Sequence, residues 1–247
     1  MITQLEVCID NIESLHHAIS GGATRIELCS SLALGGLTPS CGFMQQAAKL
    51  STVPVYAMIR PRQGDFLYNQ QEIEMMRWDI EAAYQAGLNG VVLGVLTQDG
   101  DIHIQYATAL CEFALALGLG VTFHRAFDQC RNAEQALEDV ISLGCERILT
   151  SGLAPSAPAG SEVIKSLVRQ ANGRIHIMAG AGINSDNVRA LVERTLVQEV
   201  HLSGKSTRPS EMNFIAEQSK MGASDVDDFA IPVTSTGAIA SVVSALK

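Results

Sequence analysis

One eight-residue segment, Val121-Thr122-Phe123-His124-Arg125-Ala126-Phe127-Asp128, joins the pattern of a buried strand to three ionisable side chains. Its first half alternates, so Val121 and Phe123 share one face of a strand while Thr122 and His124 share the other. An imidazole, a guanidinium and a carboxylate follow where the strand becomes a loop. Each buried charge needs a partner, so core strands rarely carry three such groups. The segment indicates a strand that ends at a functional site, although a solvated loop end would leave the same pattern.

The same unit of strand, polar end and helix repeats along the chain. The predicted strands are Leu5–Ile9, Arg25–Leu28, Val55–Ile59, Gly90–Leu93, the opening segment, Arg147–Leu149, Ile175–Met178 and Glu199–Leu202. The predicted helices are Ile12–Ser20, Ser40–Leu50, Gln70–Ala86, Ile104–Leu117, Ala133–Leu143, Glu162–Gln170, Asp186–Glu193 and Gly237–Leu246. Such alternation indicates parallel strands joined by right-handed crossovers. Eight units in 247 residues predict an α/β fold, a single TIM-type (β/α)8 barrel over residues 1–247.

The segment from Ser206 to Thr236 is too long for a simple βα loop. We expect it to be irregular, lying between strand eight and the last helix. It would form a flap over the barrel mouth or a contact between subunits.

Composition restricts the partners of this chain. The net charge is −9 and no cluster of Lys or Arg is present, which argues against nucleic-acid binding. The N-terminus lacks the pattern of a signal peptide, and no apolar run approaches the ~20 residues of a membrane helix. We therefore expect a cytoplasmic protein with reduced cysteines and no membrane or nucleic-acid partner. A small anionic ligand remains compatible with local Arg and backbone N–H groups.

The phase of each strand predicts which side chains face the barrel axis. A typical barrel interior is filled by Val, Ile and Leu. Here the inward phase is Glu6, Cys8, Arg25, Glu27, Cys29, Tyr56, Met58, Arg60, Thr122, His124, His176, Met178, Glu199, His201 and Ser203. Buried carboxylates should pair with Arg and His. The pattern favours a functional pocket at the carboxyl ends of the strands over an ionic network that merely fills the barrel.

Strands one and two carry matching motifs, Leu5-Glu6-Val7-Cys8 and Ile26-Glu27-Leu28-Cys29. In matching register, the thiols of Cys8 and Cys29 would be neighbours at one level. Two convergent thiolates suit a soft ion such as Cu(I), whereas Zn(II) would need further ligands. Free cysteine is also a common small core residue, so a structural role is the alternative.

Other strand ends carry groups suited to anions. Arg60 and Arg62 flank Pro61, with Asp65 just after, and the two guanidiniums would grip a carboxylate or phosphate or else pair with lumen glutamates. Loops seven and eight of barrels often bind phosphate. Candidates there are Gly180, Gly182 and Ser203, with the hydroxyl of Ser151 from loop six, although Gly-x-Gly also makes plain turns.

His124 forms a candidate acid–base pair with Asp128 or with Glu27, because imidazole titrates near neutral pH. A histidine satisfied by a lumen carboxylate would give the same sequence.

In combination these motifs resemble the CutC family, long called copper homeostasis proteins. The matching stretches are Gly21–Cys29, Gly35–Ser40, Ile59–Arg62 with Gly64–Phe66, Phe123–Asp128, Leu149–Gly152, Met178–Gly182 and Glu199–His201. The resemblance implies a TIM-type barrel, a cytoplasmic location and a homo-oligomer, either dimer or tetramer. It also implies Cu(I) binding, with Cys8 and Cys29 at the positions of the family's metal-binding cysteines.

Two main hypotheses follow. The first is a copper-binding homeostasis protein with Cys8 and Cys29 as ligands, helped by Met58 or a histidine. The second is an enzyme acting on a small anionic, phosphorylated molecule. Its catalytic residues would be Glu27, Arg60, His124 and Asp128, and its substrate-binding residues Arg62, Asp65, Arg125, Ser151, Gly180, Gly182, His201 and Ser203. A structural barrel with a satisfied ionic core is a third possibility.

Overall fold

The computed structural model describes residues 4–216, 219, 221 and 227–247. Eight parallel strands pair in chain order, and the last pairs with the first, so the sheet closes into a barrel. The strands are β1 (Gln4–Ile9), β2 (Arg25–Leu28), β3 (Val55–Met58), β4 (Gly90–Leu93), β5 (Gly120–Phe123), β6 (Arg147–Thr150), β7 (His176–Ala179) and β8 (Glu199–Leu202). The predicted TIM-type α/β barrel is confirmed.

Helices surround the barrel, one after each strand. They are α1 (Ile12–Gly21), α2 (Cys41–Leu50), α3 (Gln70–Gln85), α4 (Ile104–Ala116), α5 (Ala133–Ser142), α6 (Ser161–Ala171), α7 (Val188–Thr195) and α8 (Thr236–Ala245). Side-chain caps start several of them: Ser40 accepts the N–H of Phe43, and Asn132 accepts that of Gln135. In the described part of the chain, each helix is too short or too polar to cross a membrane.

The main core lies between the barrel and its helices. Val121 and Phe123 are fully buried there, together with the outward-facing apolar residues of the other strands. The opposite phase of the strands faces the axis and contributes buried charges, among them Glu6, Arg25 and Glu199. The predicted division of the strands into an apolar and a polar face is confirmed.

The segment between β8 and α8 is not irregular throughout, contrary to the prediction. It begins with β9 (Lys205–Pro209) and returns as β10 (Ala230–Thr234), paired antiparallel. The strands were not predicted because each contains a proline, Pro209 or Pro232, and proline has no N–H to donate to a neighbouring strand. A two-stranded ribbon tolerates proline because each strand has a free edge. Residues 217, 218, 220 and 222–226 lie outside the described residues.

The β9–β10 ribbon packs against α1. Arg208 forms an ion pair of 2.9 Å with Glu13, and the N–H of Thr234 donates to the hydroxyl of Ser14 at 2.9 Å. Among the described residues of 206–236, none lines the cavity at the barrel mouth. Of the described ribbon residues, Lys205 lines the cavity and the others lie beside it.

Candidate active site at the barrel mouth

A cavity of about 710 Å³ opens at the carboxyl ends of the strands, where barrel active sites are built. Side chains from β1, β2 and β8 form its floor, and residues just beyond β3 and β5 form its sides. The polar and charged residues on its wall are Cys8, Glu27, Arg60, His124, Arg125, Asn184, Ser185, His201, Ser203, Lys205 and Ser241.

An ionic network fills the lumen below this cavity. Arg25 donates to Glu6 and, at 2.6 Å, to Glu199, while Arg147 donates to Glu199 at 3.0 Å. Burial opposes ionisation of Glu6, but Arg25 and His201 outweigh it and lower the pKa of Glu6 to about 2. The prediction that lumen glutamates pair with Arg and His is confirmed.

His201 connects the network to the cavity. Its Nδ1 lies 2.8 Å from Oε1 of Glu6, and its Nε2 lies 3.8 Å from Oε2 of Glu27. Burial disfavours the imidazolium, but Cys8 and Glu27 outweigh it and raise the pKa of His201 well above its usual value. Burial also raises the pKa of Glu27, against the attraction of His201. The raised pKa favours the charged form of His201, and the raised pKa of Glu27 brings its proton exchange nearer to neutral pH than that of an exposed glutamate.

His124 is a neutral donor on the cavity wall. Burial, and then the charge of Arg60, lower its pKa to about 3. Its Nδ1 accepts the N–H of Ala126 at 3.1 Å, so the proton of the neutral ring belongs on Nε2. Within residues 4–216, 219, 221 and 227–247, the buried Nε2 has no hydrogen-bond partner.

His124 was predicted to form an acid–base pair with Asp128 or Glu27, and among the described residues no hydrogen bond joins its ring to either carboxylate. The Nδ1 atom instead caps the 3-10 turn Arg125–Gln129, which follows β5 immediately. A capping bond within two residues directs the ring away from Asp128. Sequence proximity therefore misidentified the partner of this histidine.

Asp128 joins the loops after β5 and β6. Its carboxylate accepts the hydroxyl of Thr150 at 2.5 Å, the hydroxyl of Ser151 at 2.9 Å and the guanidinium of Arg125 at 2.7 Å. It also accepts the backbone N–H groups of Ser151 and Leu153. With both oxygens occupied, these contacts favour a positioning role for Asp128 over the predicted proton transfer. Arg125 and Ser151 are held beside each other by the same contacts, 2.9 Å apart.

Arg60 is held mainly by backbone carbonyls. Its Nη1 donates to Leu34 and Gly36 and its Nη2 to Gly64, at 2.9 to 3.1 Å. Its guanidinium lies over the ring of Phe66, 5.1 Å from the centroid. Its Nε is buried without a partner, and no described carboxylate forms an ion pair with it. The positive charge of Arg60 is therefore available to a ligand.

The remaining predicted residues divide between wall and exterior. Arg125, Gly182, His201 and Ser203 lie on the wall. Gly180 lies behind it, since a Cβ there would come within 2.5 Å of Leu149. Arg62 pairs with Asp65 at 3.0 Å and with Glu72 at 2.6 Å, and neither Arg62 nor Asp65 lines the cavity. Arg62 and Asp65 were predicted to lie in the site only because they follow β3 closely along the chain.

Several wall residues were absent from the predicted site. Phe66 and Lys205 also line the cavity. Both follow predicted strands, and this position in the sequence could have identified them as site residues. Ser241 lies on α8, and nothing in the sequence pattern of that helix distinguishes it as a site residue.

The predicted pairing of the two thiols is wrong. Across the β1–β2 ladder Cys8 is level with Glu27, so Cys29 lies one lumen layer further along. Tilted strands in a closed barrel pair with a stagger, which repeated motifs in sequence do not reveal. The thiol of Cys8 donates to the carbonyl of Leu202 at 3.7 Å, and that of Cys29 to Glu27 at 3.4 Å. Burial, and then Glu27, raise the pKa of Cys29 well above its usual value.

A different set of side chains has the spacing of a metal site. One ligand atom each from Cys8, Glu27 and His201 lies within 4.8 Å of the other two. Thiolate, imidazole and carboxylate together suit a borderline ion better than a hard one.

The sequence is similar to proteins of one known family. The sequence profile of the CutC family matches residues 3–206. A CutC family protein of Vibrio parahaemolyticus serotype O3:K6 is 82% identical over 247 residues, covering 100% of both chains. One of Vibrio vulnificus strain CMCP6 is 66% identical, covering 100% of this chain and 99% of its own.

Solved structures agree. A CutC structure from Streptococcus agalactiae, named for copper homeostasis, has a TM-score of 0.76 at 34% identity and covers 81% of this chain and 98% of its own. Phosphoribosyl anthranilate isomerase from Thermotoga maritima has a TM-score of 0.58 at 15% identity, covering 100% of this chain and 98% of its own, and shares the fold alone. By profile, sequence identity and structure, the chain belongs to the CutC family.

Proposed function

We propose that this protein is a barrel enzyme that acts on a small anionic molecule by acid–base chemistry. One observation carries the proposal. Oε1 of Glu27, Nε of Arg60 and Nε2 of His124 are buried polar atoms without partners in the described part of the chain, and all three residues line one cavity. Buried polar groups are normally satisfied, and each unsatisfied one costs about 1–3 kcal/mol. A bound substrate that pairs with them explains why they persist.

The charges on the wall favour an anion. Four side chains bring positive charge to the cavity: Arg60, Arg125, Lys205 and His201. Among the described wall residues Glu27 carries the carboxyl group, and burial raises its pKa, so that it is more easily protonated. A confined cavity of one sign attracts the opposite charge even when the whole chain carries −9. Phosphate and carboxylate are the anions that guanidinium and ammonium groups bind best.

Glu27 and His201 supply the acid–base chemistry. A general acid or base works best when its pKa lies near the working pH, and burial moves the pKa of Glu27 in that direction. His201 lies 3.8 Å from Glu27 and is held on its other side by Glu6. The arrangement supports a proton carried between Glu27, His201 and a substrate.

Anion binding tests the proposal directly. Isothermal titration with inorganic phosphate, phosphorylated sugars and small dicarboxylates should detect binding, and R60M should weaken it tenfold or more. R62M is the matched control, because Arg62 is tied to Asp65 and Glu72 outside the cavity. R60K, which retains the charge, distinguishes a lost charge from a misfolded loop. Absence of binding to wild type, or equal weakening by R60M and R62M, would contradict the proposal.

Copper binding is a second candidate, supported by the cluster of Cys8, Glu27 and His201 and by the name of the Streptococcus agalactiae relative. We propose Cys8 and His201 as the primary ligands, in a reducing cytoplasm, with copper displacing the ligand proton of each. Cys29 would contribute only after its bond to Glu27 breaks and its proton is lost.

Anaerobic titration of Cu(I) against a competing chelator separates these ligands. C8S should lose the tight site, while C29S should retain most of its affinity. Unchanged affinity in the double variant C8S/C29S would remove the thiols from any copper site.

A further inference from the structure

The geometry points to a substrate with a carbonyl group, whose oxygen accepts hydrogen bonds from His124 and Arg60 while Glu27 moves a proton at the neighbouring carbon. This inference rests on the proposed function and names its substrate class.

His124 presents a single, fixed donor. Its Nδ1 is occupied by the N–H of Ala126, so the neutral ring has one N–H left, and that Nε2 group is buried on the cavity wall without a partner among the described residues. The ring is packed between Phe66, whose centroid lies 4.9 Å away, and Gly94, where an added Cβ would come within 2.6 Å of the imidazole. A rigid, uncharged N–H is suited to an oxygen that gains negative charge during reaction.

Arg60 presents a second donor of the same kind. Backbone carbonyls of Leu34, Gly36 and Gly64 occupy three of its five N–H groups, and its buried Nε–H is without a partner among the described residues. Arg60 and His124 both pack on Phe66, which brings the ends of β3 and β5 to one part of the wall. Two donors without a nearby acceptor suit an oxygen that has no proton of its own, which describes a carbonyl better than a hydroxyl.

Glu27 completes the chemistry. Its unpartnered Oε1 takes a proton from the carbon next to the carbonyl. The C–H electron pair then forms a carbon–carbon double bond, and the carbonyl π pair moves onto the oxygen, which His124 and Arg60 stabilise. Glu27 returns its proton to the same carbon. Where that carbon carries a hydroxyl group whose proton moves to the former carbonyl oxygen, Glu27 can instead return its proton to the former carbonyl carbon, which isomerises the substrate. No electron leaves the substrate and no co-reactant is needed, so the reaction class is enolisation or isomerisation.

Matched probes test the carbonyl. Each pair consists of a ketone and its secondary alcohol: dihydroxyacetone phosphate with glycerol 3-phosphate, and 2-oxoglutarate with 2-hydroxyglutarate. In wild type at least one ketone should bind tenfold or more tightly than its alcohol. H124A should reduce that preference below threefold, and H124Q, which restores an N–H, should recover part of it. H176A is the matched control, because His176 is 53% exposed and absent from the wall.

Proton exchange tests the chemistry. In D2O, proton NMR should show wild type exchanging the hydrogens beside the carbonyl of the preferred ketone, and E27Q should reduce this rate at least a hundredfold. Equal binding of ketone and alcohol would overturn the inference while leaving anion binding intact. Absence of ketone binding, or exchange that E27Q leaves unchanged, would overturn it too. Loss of all anion binding would instead contradict the proposed function.

Discussion

Nδ1 of His201 lies 2.8 Å from Oε1 of Glu6, at the boundary between the ionic lumen and the cavity. The same carboxylate accepts the Nε–H of Arg25 through its other oxygen. One fully buried glutamate therefore neutralises a structural guanidinium and orients a site histidine. Stability of the barrel and geometry of the site depend on the same side chain.

Substitution E6Q should destabilise the fold by about 3–5 kcal/mol, because the buried charges of Arg25 and His201 would each lose their nearest carboxylate. Urea unfolding followed by circular dichroism measures the change. E162Q is the control, since Glu162 pairs with Arg194 on the surface, and its midpoint should hardly move. Similar shifts for both variants would contradict the role given to Glu6.

Acid should remove the contribution of Glu6. Its pKa falls from the usual 4.5 to about 2 on folding, so its stabilisation is complete above pH 4.5 and is lost as the pH falls toward 2. The stability difference between wild type and E6Q should therefore shrink in urea titrations at pH 5, 4 and 3. A difference that stays constant over this range would show that the carboxylate is not stabilised by its neighbours.

His124 should remain neutral across the physiological range. Burial and the charge of Arg60 lower the pKa of His124 from 6.5 to about 3. Between these two pH values the imidazole is protonated in the unfolded chain but neutral in the folded protein. The folded state therefore loses stability as the pH falls from 6.5 toward 3. Nitrogen-15 NMR of labelled imidazoles, with the His124 signal assigned from H124Q, should show the Nε2–H tautomer from pH 8 to 5. Titration near pH 6 would refute this.

Gly94 should be essential for the position of His124. A Cβ there would lie 2.6 Å from the imidazole and 2.9 Å from Ala126, so G94A should cost about 1–3 kcal/mol and displace the ring. G42A is the matched control, because a Cβ at Gly42 in α2 meets nothing within 4 Å. It should be neutral or stabilising by about 0.5–1 kcal/mol. Thermal unfolding compares them, and equal midpoints would contradict the close contact.

Asp128 should behave as a structural anchor. D128N replaces an acceptor of hydrogen bonds from four residues with an amide, which should cost about 2–4 kcal/mol and release Arg125 and Ser151. D99N alters an exposed aspartate and should leave the urea midpoint unchanged. If D128N retains full stability and instead abolishes turnover of an identified substrate, Asp128 is a catalytic residue after all.

Strand periodicity explains why so much of the barrel was predictable. Inward and outward residues alternate along every strand, so Glu199 in the lumen and Val121 in the core could be assigned before any coordinates. The pairing of charges followed, because buried carboxylates require partners. The β9–β10 ribbon was missed, since its prolines weaken the strand pattern and its pairing is decided by contact with α1.

Hydrophobic periodicity and the need to neutralise buried charge are local properties, so the eight-unit barrel and the chemical character of its lumen could be predicted from the amino-acid sequence. Which of these groups meet depends on how the folded barrel closes. The stagger between tilted strands places Cys8 beside Glu27 instead of Cys29, and a two-residue cap directs His124 away from Asp128. Such registers depend on closure of the whole sheet, which no single strand encodes.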